Sequence, residues 1–206
     1  MRQTWRDLLF AHWRVPAAIM RGRLPPEIPV DTFDGSAWLG VTPFEVTGLR
    51  PRFGPPMRRF CEMNVRTYTT IAGRPGIWFF TLEAASLLAV LGARLTYRLP
   101  YHHAAMSIER DGDRIRYRSE RPTVVFRGEY GPTGPPAPAR PGTLEHFLTE
   151  RYSLFTLDRR RRVRRADIAH PPWPLQPAWA RIEGVPEPLV HFARRQDVRV
   201  WPLRRA

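Results

Sequence analysis

The sequence has 206 residues, of which 43% are hydrophobic and 12% aromatic, with a formal net charge of +14. All 33 basic residues are arginine, and the absence of lysine excludes Schiff-base catalysis, pyridoxal phosphate anchoring and a lysine-bearing P-loop. The apolar content excludes wholesale disorder, and the length predicts a single domain over residues 1–206.

The cysteine content and the N-terminus bear on the cellular compartment. Cys61 is the only cysteine, so one chain cannot form an intramolecular disulfide or a cysteine-ligated metal cluster. The apolar run near the N-terminus is interrupted by Arg6 and Asp7, unlike a secretory signal. The longest apolar stretch, residues 84–93, is about half of the ~20 residues that cross a bilayer. We therefore predict a cytoplasmic protein without a membrane span.

The first half of the chain is predicted to consist mainly of strands. Turn signals and runs of bulky residues place these strands at residues 36–46, 60–70 and 76–82. Two short helices are expected at residues 16–22 and 82–92, where Gly22 and Gly92 can supply the C-terminal stops. A loop is expected at residues 48–56.

The second half continues the strand series. Residues 104–110, 114–120 and 124–130 predict a meander, and residues 132–142 form a proline-rich excursion. Residues 143–151 predict a helix with Thr143 as N-cap. Strands are expected at residues 152–157, 163–169, 181–183 and 198–203, the last closing the sheet. The predicted fold class is α+β and β-rich.

An alternating polar row occupies the strand predicted around residue 65. The two-residue period of a strand places Glu62, Asn64, Arg66 and Tyr68 on one face. Burying a carboxylate and a guanidinium is costly unless they pair or contact a ligand, so an inward-facing row would form a site. A solvent-facing row with an incidental Glu–Arg pair fits the same pattern, and periodicity alone leaves both interpretations open.

Short motifs along most of the chain occur together in a fixed order. They lie at residues 9–13, 24–25, 33–40, 62–68, 76–80, 99–101, 150–152 and 170–175. Collectively they resemble the YqjF-like family of uncharacterised bacterial proteins. The resemblance implies an acetoacetate decarboxylase-like fold, a partly closed antiparallel β-barrel or cone with a central cavity and a few short covering helices. It implies no established reaction, and the superfamily's Schiff-base lysine has no counterpart here.

Within such a cavity, Arg66 would anchor a carboxylate and Glu62 would accept a proton. A histidine titrates near neutral pH and could act as acid or base, although a packed, hydrogen-bonded role is the commoner one. Glu150 and Arg151 are interpreted as structural. No metal site or cofactor is predicted. The candidate catalytic residues are Glu62, His12 and His102, and the candidate ligand-binding residues are Asn64, Arg66, Tyr68, Tyr101 and His170.

The leading hypothesis is a protein that binds a small carbonyl or carboxylate compound in a central cavity, with lysine-independent acid–base catalysis as its enzymatic form. The alternative is an arginine-rich nucleic-acid or phosphate-surface binder centred on residues 159–165, although that run also fits a solvated turn between two strands. In a third interpretation the cavity is filled by the chain's own side chains. The sequence predicts neither an oligomeric state nor a specific ligand.

Overall fold

A computed structural model describes residues 1–51 and 55–206. Strands dominate this part of the chain, and the helices are short. The strands are β1 Arg2–Pro16, β2 Ser36–Arg50, β3 Phe60–Ile71, β4 Arg74–Ala84, β5 Tyr101–His103, β6 Ala105–Asp111, β7 Arg114–Arg121, β8 Val124–Pro132, β9 Ser153–Leu157, β10 Val163–Ala169, β11 Gln176–Ile182, β12 Leu189–Val200 and β13 Arg204–Arg205. The helices are α1 Ala17–Arg21, α2 Leu87–Tyr97 and α3 Leu144–Thr149.

Seven of the strands form a closed ring. They follow one another in the order β10, β9, β4, β3, β2, β1 and β12, and β12 pairs back onto β10 to close the ring. Neighbouring strands in the ring run antiparallel except for β4 and β9, which run parallel. The β-rich architecture with few short helices agrees with the prediction from sequence.

A second layer of strands covers the outside of the ring. Strands β6, β7, β8 and β11 continue the sheet beyond β12 and fold over the back of β1 and β3, where Leu9, Met63 and Phe192 share one apolar cluster with this layer. Complete burial of such a side chain stabilises the fold by about 1.5–3 kcal/mol. The hydroxyl of Tyr117, on β7, donates to the backbone oxygen of Glu62 at 2.9 Å. The outer layer thus binds the back of the strand that carries the polar row.

Strand β1 was not predicted, although it pairs with both β12 and β2. Its alternation is interrupted at Asp7, which has a positive φ of 50° and lies where the pairing with β2 shifts. The Asp7 carboxylate is buried and accepts hydrogen bonds from Arg110 at 2.7 Å and Arg194 at 3.2 Å. The charges that interrupt the sequence pattern therefore form a bulge at which the outer layer is attached.

Helix α2 lies five residues later than predicted. Strand β4 continues to Ala84, because Leu82 and Ala84 are buried in the ring core rather than on a helix face. The helix starts after Ser86, whose hydroxyl oxygen accepts a hydrogen bond from the Ala89 amide at 3.3 Å. It ends before Arg98, which has a φ of 54°. The predicted stop at Gly92 is wrong, because this glycine lies in the middle of the helix.

Several other boundaries differ from the prediction by a few residues. Strand β2 extends to Arg50 into the predicted loop at 48–56, of which residues 52–54 lie outside the described residues. Strand β11 starts at Gln176, five residues before its predicted start. The strand predicted at 198–203 is wrong beyond residue 200 and misses most of β12, which spans Leu189–Val200. The predicted helices at 16–22 and 143–151 are present as α1 and α3, with the Thr143 hydroxyl capping α3. Of the helices in the described ranges, none is long and apolar enough to cross a membrane.

Two glycine-to-alanine substitutions test the ring and α2 separately. A Cβ at Gly76, on β4, would lie 2.5 Å from the Phe155 ring and 2.7 Å from the Ser153 carbonyl oxygen of the neighbouring strand. We expect Gly76→Ala to lower the free energy of unfolding by about 2–4 kcal/mol. A Cβ at Gly92 meets nothing within 4 Å, so Gly92→Ala should raise it by about 0.5–1 kcal/mol. Urea unfolding measures both values, and equal effects would contradict the assigned packing.

Candidate functional site

The polar row of β3 faces the inside of the ring. Glu62, Asn64 and Arg66 line a cavity of about 80 Å³, whereas Cys61 and Met63, on the opposite face, pack against the outer layer. Of the two orientations that periodicity leaves open, the structure has the inward one. The ring therefore surrounds a carboxyl group, an amide and a guanidinium that come from one strand.

Arg66 is a buried cation without an acidic partner. Its residue is only 6% exposed, its Nε has no hydrogen-bond partner, and none of the ion pairs in the described ranges includes it. The guanidinium lies over the rings of Phe10 and Tyr68, with centroid distances of 5.2 Å and 5.8 Å. Cation–π contacts of this kind offset part of the desolvation cost of a buried charge. The guanidinium also donates a hydrogen bond to the Tyr68 hydroxyl, but it has no carboxylate partner among the described residues.

A second arginine in the cavity wall has its partners within the fold. Arg151 lines the same cavity, but its NH1 donates to Asp31 at 2.8 Å and its Nε donates to the Phe147 carbonyl oxygen at 2.6 Å. This agrees with the structural role that the sequence suggested for Arg151. The comparison singles out Arg66 as the arginine left without a carboxylate.

A glycine on β2 allows three candidate residues to approach one another. Gly40 pairs with His12 on one side and Arg66 on the other. A Cβ at this position would lie 3.2 Å from Arg66 Cγ, from His12 Cδ2 and from the Tyr68 hydroxyl. Any larger residue would push these side chains apart. The glycine thus keeps His12, Arg66 and Tyr68 in one compact group.

His12 and Tyr68 are joined by a hydrogen bond between His12 Nε2 and the Tyr68 hydroxyl, at 2.6 Å. Burial lowers the pKa of His12 well below its usual value, and the charge of Arg66 acts in the same direction. Burial also raises the pKa of Tyr68, although Arg66 opposes that change. Both groups are therefore uncharged at neutral pH. Neither lines the cavity, so His12 and Tyr68 contact the Arg66 side chain from outside the cavity wall.

Asn64 is oriented by a residue that the sequence did not single out. The Thr42 hydroxyl, on β2, donates to Asn64 Oδ1 at 2.6 Å, and Thr42 also lines the cavity. The two residues are direct partners in the β2–β3 ladder. Only the register between these strands identifies Thr42, because one threonine in a strand carries no signal of its own.

Glu62 has an elevated pKa and a single side-chain hydrogen bond. Burial raises its pKa to about 7, against the effect of the hydrogen bond from Tyr101. The Tyr101 hydroxyl donates to Glu62 Oε1 at 2.9 Å, and Arg94 of α2 donates to the Tyr101 carbonyl oxygen at 2.6 Å. Helix α2 thereby positions β5, and β5 positions the Glu62 carboxyl group.

The two remaining candidate histidines differ in position. His170 lines the cavity, where its Nδ1 donates to the Pro171 carbonyl oxygen at 2.7 Å and burial lowers its pKa. His102 does not line the cavity, because it neighbours Tyr101 on β5 and successive strand residues face opposite ways. Its pKa is lowered, first by burial and then by nearby arginines. The structure thus separates His102 from the other candidates.

The cavity adjoins a larger pocket under α2, which we call the α2 pocket. Its volume is about 990 Å³. Glu62, Tyr101, Tyr97 and Ala93 belong to the walls of both spaces. The small cavity and the α2 pocket are therefore adjacent and meet at the Glu62 carboxyl group.

The arginine-rich run lies at the turn between β9 and β10. Asp158 accepts hydrogen bonds from Arg162 at 2.8 Å and from Arg164 at 2.9 Å, and Arg161 pairs with Glu27 at 2.7 Å. These contacts agree with the interpretation of the run as a turn between strands. Nucleic-acid binding stays a prediction.

Cys61 lies on the outer face of β3, opposite the polar row. Burial, together with the nearby Glu45 carboxylate, raises the pKa of the Cys61 thiol to about 11, so the thiol is protonated and faces away from the cavity. Within residues 1–51 and 55–206, no three His, Cys, Asp or Glu side chains are grouped so that they could hold a metal ion.

Comparisons with known proteins agree with this architecture. A structure described as an acetoacetate decarboxylase-like enzyme from Sphingomonas wittichii RW1 superposes with a TM-score of 0.67 at 16% identity, covering 100% of this chain and 92% of its own. The enduracididine biosynthesis enzyme MppR, complexed with pyruvate, superposes with a TM-score of 0.69 at 12% identity, covering 99% of this chain and 89% of its own. The predicted acetoacetate decarboxylase-like fold is confirmed.

At the level of sequence, the uncharacterized protein YqjF of Bacillus subtilis strain 168 is 44% identical over 223 residues, covering 100% of this chain and 92% of the relative. The family model of DUF2071, described as an uncharacterized conserved protein, matches residues 2–194. The resemblance inferred from the motifs is therefore confirmed, and this chain belongs to the DUF2071, or YqjF-like, family.

Proposed function

We propose that the cavity binds a small organic compound that carries a carboxylate and that Arg66 holds this carboxylate. The observation that carries the proposal is the buried guanidinium of Arg66, which lacks an acidic partner and lines an enclosed space. An ionised group removed from water is costly unless it is paired. A ligand carboxylate would supply the missing partner through hydrogen bonds to the planar guanidinium.

The size of the cavity supports a small ligand or a small head group. A volume of about 80 Å³ compares with about 30 Å³ for one water molecule in the liquid. A carboxylate with three or four further heavy atoms is of this order of size. The structurally similar MppR is described in complex with pyruvate, a compound of this size and charge.

Glu62 is the group that the proposal assigns to proton exchange. With a pKa of about 7, both of its protonation states are populated at neutral pH, which is the condition for effective general acid–base catalysis. Tyr101 orients one carboxyl oxygen, and Asn64 lies between Glu62 and Arg66 on β3. Because the chain has no lysine, the proposed chemistry proceeds without an imine and consists of proton transfer at a compound held by Arg66.

Binding of pyruvate and acetoacetate tests the proposal directly. We expect isothermal titration calorimetry to detect binding to the natural protein, with at least about a hundredfold loss of affinity in Arg66→Met, because charge-assisted hydrogen bonds are removed. The matched control is Arg181→Met, which removes an exposed arginine on β11 outside the cavity. Equal losses in the two variants would mean that the protein's overall charge attracts the anions, and would contradict the proposal.

The substitution Arg66→Met is expected to raise the stability of the protein although it lowers the affinity for the ligand. Arg66→Met replaces an unpaired buried cation by an apolar side chain of similar length, so we expect the free energy of unfolding without ligand to rise by about 1–3 kcal/mol. Urea unfolding measures this change. A large fall in stability would show that Arg66 is a structural residue whose partners lie within the fold.

The pH dependence of stability tests the environment of Glu62. Its pKa is raised in the folded protein, to about 7, so the folded state binds more protons than the unfolded state between the two pKa values. Stability therefore falls as the pH rises from about 5 to about 8, and Glu62→Gln should remove up to about 3 kcal/mol of that fall. Parallel stability–pH curves for the two proteins would contradict a buried, protonated Glu62.

A further inference from the structure

We infer that the ligand is an amphipathic carboxylate, with its head group on Arg66 and an apolar tail in the α2 pocket. This inference rests on the proposed function and adds the class of ligand to it. It assigns a role to the α2 pocket, which the proposal for the small cavity leaves unused.

The adjacency of the two spaces is the first argument. Arg66 lies four positions after Glu62 along β3, so their Cα atoms are about 13 Å apart at the usual strand rise, and both side chains line the cavity between them. The cavity of about 80 Å³ beside Arg66 holds only a head group, and the α2 pocket begins where the two spaces share Glu62 and Tyr101. A substituent on the head group that points away from Arg66 would extend towards the α2 pocket.

The chemistry of the α2 pocket is the second argument. Its volume of about 990 Å³ lies at the upper end of the ~300–1,000 Å³ typical of ligand pockets. Glu62 is the one acidic side chain among the described residues that line it. Arg2, Arg50 and Arg199 also line the pocket. Apolar side chains form much of the remaining wall, including those of Leu49, Met57, Phe60, Leu88, Ala89 and Trp201. Such a wall favours a hydrocarbon or aryl tail, because burial of apolar surface is its main source of affinity.

Gly92 is the third argument. Glycine is among the least favourable residues in the interior of a helix, yet Gly92 lies in the middle of α2. It lines the α2 pocket, and a Cβ built on it meets nothing within 4 Å. No packing contact within the chain therefore requires glycine at this position. The absence of a side chain leaves open the space that the tail would occupy.

The dependence of affinity on chain length tests this inference. We expect calorimetry with pyruvate, hexanoate, octanoate and decanoate to give an affinity that rises about fourfold for each methylene buried. Gly92→Phe places a ring in the α2 pocket and should reduce the affinity for decanoate to about that for hexanoate. Gly92→Ala should retain most of the gain. Leu95→Phe adds a ring at an exposed position of α2 outside the pocket and should change nothing. Circular dichroism checks that each variant is folded.

The outcomes separate the inference from the proposed function. Binding of pyruvate through Arg66 with no gain along the series would overturn the tail site and leave the proposed function standing. An equal gain along the series in Arg66→Met would indicate apolar adsorption, and would overturn the amphipathic ligand. An unchanged decanoate affinity in Gly92→Phe would place the tail elsewhere and overturn the inference as well. Failure of pyruvate and of every fatty acid to bind would overturn the proposed function itself.

Discussion

The central constraint in this structure is that a closed ring of strands separates its inward-facing polar groups from bulk water. Each such group then needs a partner inside the ring, because an unsatisfied buried polar group costs free energy and an unpaired charge costs more. Several of the inner polar groups have one. The partners are Thr42 for Asn64, Tyr101 for Glu62, Asp31 for Arg151 and Tyr68 for His12. Among the described residues, Arg66 has no acidic partner and its Nε has no hydrogen-bond partner. The indole nitrogens of Trp5 and Trp173, in the same cavity wall, also lack a described partner. The Arg66 guanidinium therefore remains without a carboxylate, and the proposed function rests on this observation.

The outer layer of strands stabilises the fold and so offsets the cost of polar groups on the inner face of the ring. The strand β3 has an apolar back, where Met63 packs against the outer layer, and its backbone accepts the Tyr117 hydroxyl. At the bulge in β1, the Asp7 carboxylate holds Arg110 and Arg194. Apolar burial and paired charges outside the ring thus stabilise a sheet whose inner face is kept partly polar.

The periodicity of strands and the capping rules for helices predicted part of the fold from the sequence. The features that were missed depend on pairing between strands that are distant in the sequence. The two-residue period identified the polar face of β3, and Thr143 identified the start of α3. The same rules misplaced α2, because Gly92 looks like a helix stop unless the Ser86 cap and the continuation of β4 are known. Local pattern also cannot show that the charge at Asp7 marks a bulge in a long strand. The sequence also did not show which of the neighbours Tyr101 and His102 faces the cavity, because the two residues differ only in the face of β5 on which they lie.

The closure of the ring has a kinetic consequence. Strands β10 and β12 pair at two positions, Ile168 with Val200 and Ala169 with Arg199, whereas β1 and β12 pair at ten. Ile168 and Val200 also line the cavity. Strands β4 and β9 also pair at only two positions. Local opening occurs where backbone contacts are fewest, at a free energy below that of global unfolding, so these two seams open more readily than the rest of the ring. Separation of β10 and β12 would therefore give solvent and ligand a second route to the cavity, on the side where Ile168 and Val200 line it.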